Sequence, residues 1–92
     1  MKGTLYLSDR KLDFYLPSQI YGSFSFGEED AETKLINIES RENKWVLYST
    51  KEVKVILNGE EVEEAPLIDN TFYYLKNDNK KYLFGVSKRY DD

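Results

Sequence analysis

The feature that most constrains this chain is an apolar period of two that recurs almost from end to end. Leu5 and Leu7 alternate with Thr4 and Tyr6. Leu12, Phe14 and Leu16 alternate with Lys11, Asp13 and Tyr15, and Gly22, Phe24 and Phe26 with Tyr21, Ser23 and Ser25. Ile36 and Ile38, Trp45 and Leu47, and Val53, Val55 and Leu57 continue the pattern; Tyr73 and Leu75, then Tyr82, Phe84 and Val86, complete it. Successive side chains of a strand point to opposite faces, so each run reads as a strand with one apolar face. Short runs of this kind, spaced by about 8–12 residues, predict an all-β antiparallel sandwich or barrel. Gly27–Lys34 is polar and reads as a loop or a single helical turn; no other segment has a helical period.

The punctuation agrees with the period. Asn58–Gly59, between Val53–Leu57 and Glu60–Glu63, is a strong hairpin signal, because a type I′ turn needs positive φ at both central residues. Arg41–Glu42–Asn43, Asp69–Asn70 and Asn77–Asp78–Asn79 supply further turns, and Pro17–Ser18 breaks an early strand. Trp45, Leu47, Ile36, Ile38, Val55 and Phe84 are the expected core of two packed sheets.

At 92 residues the chain has the size of one domain, expected over residues 1–87, with a polar tail at 88–92 that begins a linker. Fourteen aromatics supply core volume without disulfides or metals. Cysteine and histidine are both absent. That excludes thiolate catalysis, zinc-finger and iron–sulfur ligation, and any triad or metal site built on imidazole. Thirteen basic and 17 acidic residues give a net charge of −4, which disfavours nucleic acid unless the basic residues cluster. Apolar runs such as Val55–Leu57 and Phe72–Leu75 fall far short of the roughly 20 residues that span a bilayer. Met1–Lys2–Gly3 carries no apolar signal-peptide core, so a soluble chain with no membrane insertion of its own is expected, not secreted by that route, and the compartment stays open at this point.

Few residues offer chemistry. Glu28, Glu29, Asp30 and Glu32, and then Glu60, Glu61, Glu63 and Glu64, are carboxylate clusters, but without the Asp-x-Asp-x-Asn-Gly calcium pattern they read as solvated surface. Lys80–Lys81 and Lys88–Arg89 form a small basic cluster that reads as solvated strand ends. Gly22 and Gly27 make no phosphate loop. No catalytic residue, metal site or cofactor is expected, and the chain is not expected to be an enzyme. What remains is tyrosine: Tyr6, Tyr15, Tyr21, Tyr48, Tyr74 and Tyr90 fall on or near the face opposite the core. Tyrosines so placed anchor protein partners, stack on sugar rings, or simply satisfy strand propensity. As a set they mark a partner-contact surface, and the acidic runs Glu28–Asp30 and Glu60–Glu64 would steer a basic partner towards it.

The order of the elements resembles that of a forkhead-associated (FHA) domain from about Leu12 to Val86. Lys34–Leu35–Ile36–Asn37–Ile38–Glu39, then Lys44–Trp45–Val46–Leu47, then Val53–Leu57 with Asn58–Gly59, then Leu67–Ile68–Asp69–Asn70, Tyr73–Leu75 and Tyr82–Phe84 are similar to that family's successive motifs. Those motifs are a buried strand, a W-x-L strand, a V-N-G hairpin, an L-x-D-G-D turn and a paired last strand. Within the family, Leu16–Pro17 through Trp45 resembles the amino-terminal FHA-like domains of EssC-type FtsK/SpoIIIE ATPases of bacterial type VII secretion. The resemblance implies an FHA-like antiparallel β-sandwich that is a non-catalytic protein-interaction module. It also implies a place in the cytoplasm beside the membrane held by the rest of the parent protein.

The departures bear on phosphothreonine. The family's phosphopeptide readers carry G-R, S-x-x-H and N-G-T at the loops. Here those places read Gly22–Ser23–Phe24, Ala31–Glu32–Thr33–Lys34 and Val53–Lys54–Val55, leaving Ser23, Thr33, Lys34 and Lys54 as vestigial positions. Ser40–Arg41 lies on the wrong side of its strand, and Asn58–Gly59 matches the hairpin glycine rather than the phosphate-contacting asparagine. The expected partner is therefore a protein or a neighbouring domain of a secretion complex, not a phosphopeptide and not nucleic acid. A phosphothreonine reader and a carbohydrate-binding sandwich are the alternatives.

Overall fold

The computed structural model describes residues 1–28 and 32–88, which form ten strands and no helix. They are β1 (Lys2–Tyr6), β2 (Lys11–Tyr15), β3 (Ser23–Phe26), β4 (Ile36–Arg41), β5 (Lys44–Tyr48), β6 (Lys54–Leu57), β7 (Glu60–Val62), β8 (Glu64–Pro66), β9 (Thr71–Asn77) and β10 (Lys80–Ser87). They pair into a six-stranded sheet, in the order β2-β1-β10-β9-β6-β7, and a four-stranded sheet, in the order β3-β4-β5-β8. Every pairing is antiparallel. The chain is all-β, as the period of two predicts, and the inner faces of the two sheets supply one core. All six residues expected there are buried, together with Leu5, Leu16, Val53, Tyr73 and Leu75.

Aromatic rings knit the two layers. Phe14 of β2 stacks on Phe26 of β3 at 4.0 Å and lies 5.7 Å from Phe84 of β10, while Trp45 meets Phe24 edge-on at 5.6 Å. The Phe14 ring fits because residue 3 is glycine: a Cβ at Gly3 would come within 2.4 Å of it.

The turns explain the hairpins. Glu42 and Asn43 both have left-handed φ values (50° and 64°) between β4 and β5, as do Asn58 and Gly59 (54° and 84°) between β6 and β7. A two-residue hairpin loop of the primed type requires this. Glu42 is the unexpected member, since a γ-carboxylate offers no local compensation for positive φ.

The acidic run Glu60–Glu64 is more than solvated surface. It forms β7, at the edge of the six-stranded sheet, and then β8, at the edge of the four-stranded sheet, and the chain crosses between layers at Glu63. Edge strands expose unpaired backbone groups, and charge or proline there discourages a second chain from adding. β7 offers Glu60 and Glu61, and β8 offers Glu64 and Pro66. The Ser49 hydroxyl holds this crossing in place. It donates to the Val62 carbonyl at 2.7 Å and accepts from the Val55 N–H at 2.8 Å. Ser49→Ala is expected to cost about 1 kcal/mol in urea unfolding, because this half-buried site lets water replace part of what is lost. A variant with unchanged midpoint would show that the hydroxyl does not hold the crossing.

Candidate functional site

The vestigial phosphopeptide positions do not converge. Thr33 and Lys34 lie in the connection leading into β4 and line an open cleft of about 440 Å³ with Glu32, Asn37, Thr50 and Glu52. The floor of that cleft is fixed by Asn37, whose amide donates to the Lys34 carbonyl at 3.2 Å and whose oxygen accepts from the Ser25 hydroxyl at 2.9 Å. Ser23 sits at the far end of β3, opposite Glu39, whereas the Phe26 end of β3 faces Ile36. Lys54 leaves the cleft altogether. It opens β6 on the outer face of the six-stranded sheet, and its ammonium donates to the Thr50 carbonyl at 2.9 Å. The cleft therefore sets one lysine against Glu32 and Glu52, with no arginine on its wall. Arg41 is held elsewhere by Glu39, at 3.1 Å, and by Glu64. The hydrogen bond that Arg41 donates to Glu39 pushes the arginine's pKa up.

A second polar groove, of about 530 Å³, runs past Glu28, Thr33, Leu35, Asp78, Lys80 and Tyr82. Among the described residues no group of three or more acidic side chains is arranged to hold a metal ion. Glu29, Asp30 and Ala31, together with Arg89, Tyr90 and the end of the tail, lie outside the described residues.

The tyrosines divide by face. Strand register places Tyr6, Tyr15 and Tyr74 on the outer face of the six-stranded sheet. Tyr48 pairs with Glu64 on the other sheet, and Tyr21, the most exposed of the described tyrosines at 78%, lies in the β2–β3 connection. The six-stranded face also gathers residues that were not singled out in the sequence. Tyr6 faces Leu83, Leu83 faces Tyr74, and Tyr74 faces Ile56, so four apolar side chains form one row across β1, β10, β9 and β6. At the strand spacing of about 4.8 Å the row is roughly 14 Å long. Beside it Phe72, 56% exposed, lays its ring over Gly85; a Cβ there would come within 2.8 Å of that ring and 3.6 Å of Tyr6. Register between strands, which one sequence does not display, assembles this patch.

The charge around the patch follows the sequence expectation only in part. The Glu60–Glu61 part of the expected acidic rim lies at the β7 edge of this sheet, Glu29 and Asp30 lie outside the described residues, and the face itself carries Lys2, Lys11, Lys54, Lys76 and Lys81 against Asp13 and Glu61. Asp13 is itself engaged, accepting from the Thr4 hydroxyl at 2.8 Å with Lys2 at 3.9 Å, and Glu28 pairs with Arg10 at 3.1 Å in a loop. Alternation puts five of the ten lysines on this face and leaves most of the acidic residues at sheet edges and in loops.

No family model, no curated protein and no solved structure matches the chain. Among the described residues no helix is long and apolar enough to cross a membrane.

Proposed function

We propose that this chain is a non-catalytic protein-interaction module that works through the outer face of its six-stranded sheet. The patch of exposed Phe72 and Tyr74 beside half-buried Tyr6 and Leu83 carries that reading. Clustered aromatics in a fold that does not need them for its core supply the anchors on which protein interfaces depend. The test is recovery of a partner from cells that naturally make the protein. Phe72→Ser/Tyr74→Ser is expected to lose the partner and keep the parent's melting behaviour; undiminished recovery would remove this face from the function.

The same proposal takes the module to be FHA-like and to belong to the cytoplasmic, membrane-proximal part of an EssC-type secretion ATPase. In support, the buried strand β4, the Trp45 strand β5, the Asn58–Gly59 hairpin, the Asp69–Asn70 turn and the paired β9–β10 strands follow in the order that carries the resemblance. The gene decides the parent protein: hydrophobic spans and a GxxxxGK[ST] motif downstream of Asp92 are expected, and a reading frame lacking them would defeat that assignment.

The module is proposed not to read phosphothreonine. A phosphate at neutral pH carries about −1.5 to −2 charges and is held by convergent charge-assisted donors, typically with an arginine fork. Lys34 alone, against Glu32 and Glu52, does not provide that. Titration calorimetry with a phosphothreonine peptide library is expected to give no saturable heat. Micromolar binding that is lost on dephosphorylation and in Lys34→Ala would make the phospho-reader alternative correct.

A further inference from the structure

One strand register away from the apolar row runs a second row of different chemistry. Lys81 of β10 faces Lys76 of β9, and Lys76 faces Lys54 of β6. Three lysines thus border the Tyr6–Leu83–Tyr74–Ile56 row, two residues further along the strands, or about 6.8 Å away, with the Lys54 ammonium also donating to the Thr50 carbonyl at 2.9 Å. Like charges directly opposite one another in a sheet are unfavourable. No ion pair among the described residues involves these three lysines. The Lys81 ammonium lies 5.6 Å over the Tyr74 ring, which ties the basic row to the apolar one. A fold of net charge −4 has therefore placed positive charge without an ion-pair partner along one side of an apolar row that ends against a single carboxylate, Glu61.

We propose that this face docks an acidic segment of a partner protein, whose apolar side chains cover Tyr6, Leu83, Tyr74 and Ile56 while its carboxylates meet Lys54, Lys76 and Lys81. The inference rests on the interaction-module reading above and gives the partner its chemistry. Docking replaces lysine–lysine repulsion by opposite-charge contact, so charge sets orientation and encounter rate while the apolar row supplies the burial. An acidic protein segment fits better than a single-stranded nucleic acid. Two of the four row members, Leu83 and Ile56, have no ring for a base to stack on, and among the described residues no arginine lies on the face.

The test places the photo-cross-linking residue p-benzoyl-phenylalanine at position 74, in the full-length protein, in cells that naturally make it. Cross-linked peptides are then sequenced by mass spectrometry. The expected result is a single partner segment that is net negative and carries apolar residues. Its yield should fall about tenfold or more in Lys54→Glu/Lys76→Glu/Lys81→Glu and be retained in the matching triple arginine variant. Lys76→Glu alone, at the centre of the row, gives the same reading if the triple variant melts early. A neutral or basic protein segment, with yield indifferent to charge reversal, would overturn the acidic partner and leave the interaction module standing. Cross-links to nucleic acid, to lipid or to a second copy of this chain would overturn the proposal in favour of those partners. No cross-link at all would overturn both readings.

Discussion

Replacing Trp45 with alanine is expected to cost about 3–5 kcal/mol, a large share of what holds a domain of this size folded. Trp45 is 4% exposed, the largest side chain in the core, and it stands edge-on to Phe24 across the β3–β4–β5 layer. Its carbonyl also receives the Leu67 N–H at 2.9 Å, so the strand that carries the ring anchors the chain leaving β8. The cavity left by the indole is bounded by strands that are fixed on both sides and cannot close over it. For a domain of about 90 residues each kcal/mol moves the melting temperature by roughly 4–8 °C, so a fall of about 15–30 °C is expected in a calorimetric scan. An unchanged melting temperature would mean that Trp45 is not at the centre of the core.

Tyr73→Phe removes only an oxygen, yet it should cost about 2–3 kcal/mol. The Tyr73 ring is 1% exposed in β9, and its hydroxyl reaches across to the other layer. There it donates to the Pro66 carbonyl at 2.7 Å and accepts from the Ile68 N–H at 3.1 Å. Phenylalanine keeps the packing and leaves both backbone groups without their partner, and an unmade hydrogen bond at a buried group costs more than a made one contributes. Burial pushes the Tyr73 hydroxyl above its usual value of 10.0, although the hydrogen bond from Ile68 opposes the shift. The sign follows from linkage. The folded state holds this proton more tightly than the unfolded chain, so the contribution is complete below pH 10 and is lost as pH rises through the folded-state value. Urea midpoints measured on either side of pH 10 should therefore fall more steeply for the parent than for Tyr73→Phe. Parallel profiles would show that this hydroxyl does not titrate with unfolding.

The fold could be read from the sequence to the extent that it depends on alternation and turn chemistry. Leu5, Ile36, Ile38, Leu47, Val55 and Phe84 declare their faces by period alone. Asn58–Gly59 declares its hairpin because few dipeptides tolerate two left-handed residues in succession. The edge strands were harder. Glu60–Glu64 reads as a charge run because β7 and β8 have only three residues each, too short to show a period, and the chain changes sheets between them. The candidate site was legible only in part. Tyr6 and Tyr74 stand out by type, but Ile56 and Leu83 look like ordinary strand residues, and Lys54, Lys76 and Lys81 are far apart in the chain. Their meeting depends on three separate strand registers, which no local signal encodes. The same averaging hides the sign of the face: net charge is a property of the whole chain, and alternation redistributes it.

The placement of β1 has a kinetic consequence. Lys2 pairs with Ser87, so the first strand is clamped between the edge strand β2 and the last strand of the larger sheet. That contact closes a loop of nearly the whole chain, and topologies dominated by such distant pairings fold in milliseconds to seconds rather than microseconds. On the ribosome, the amino-terminal residues must wait until β10 has emerged before they acquire a neighbour on that side. Until then the flank of β1 that β10 will pair stays open, and the aromatic core between the two sheets cannot close around Phe84.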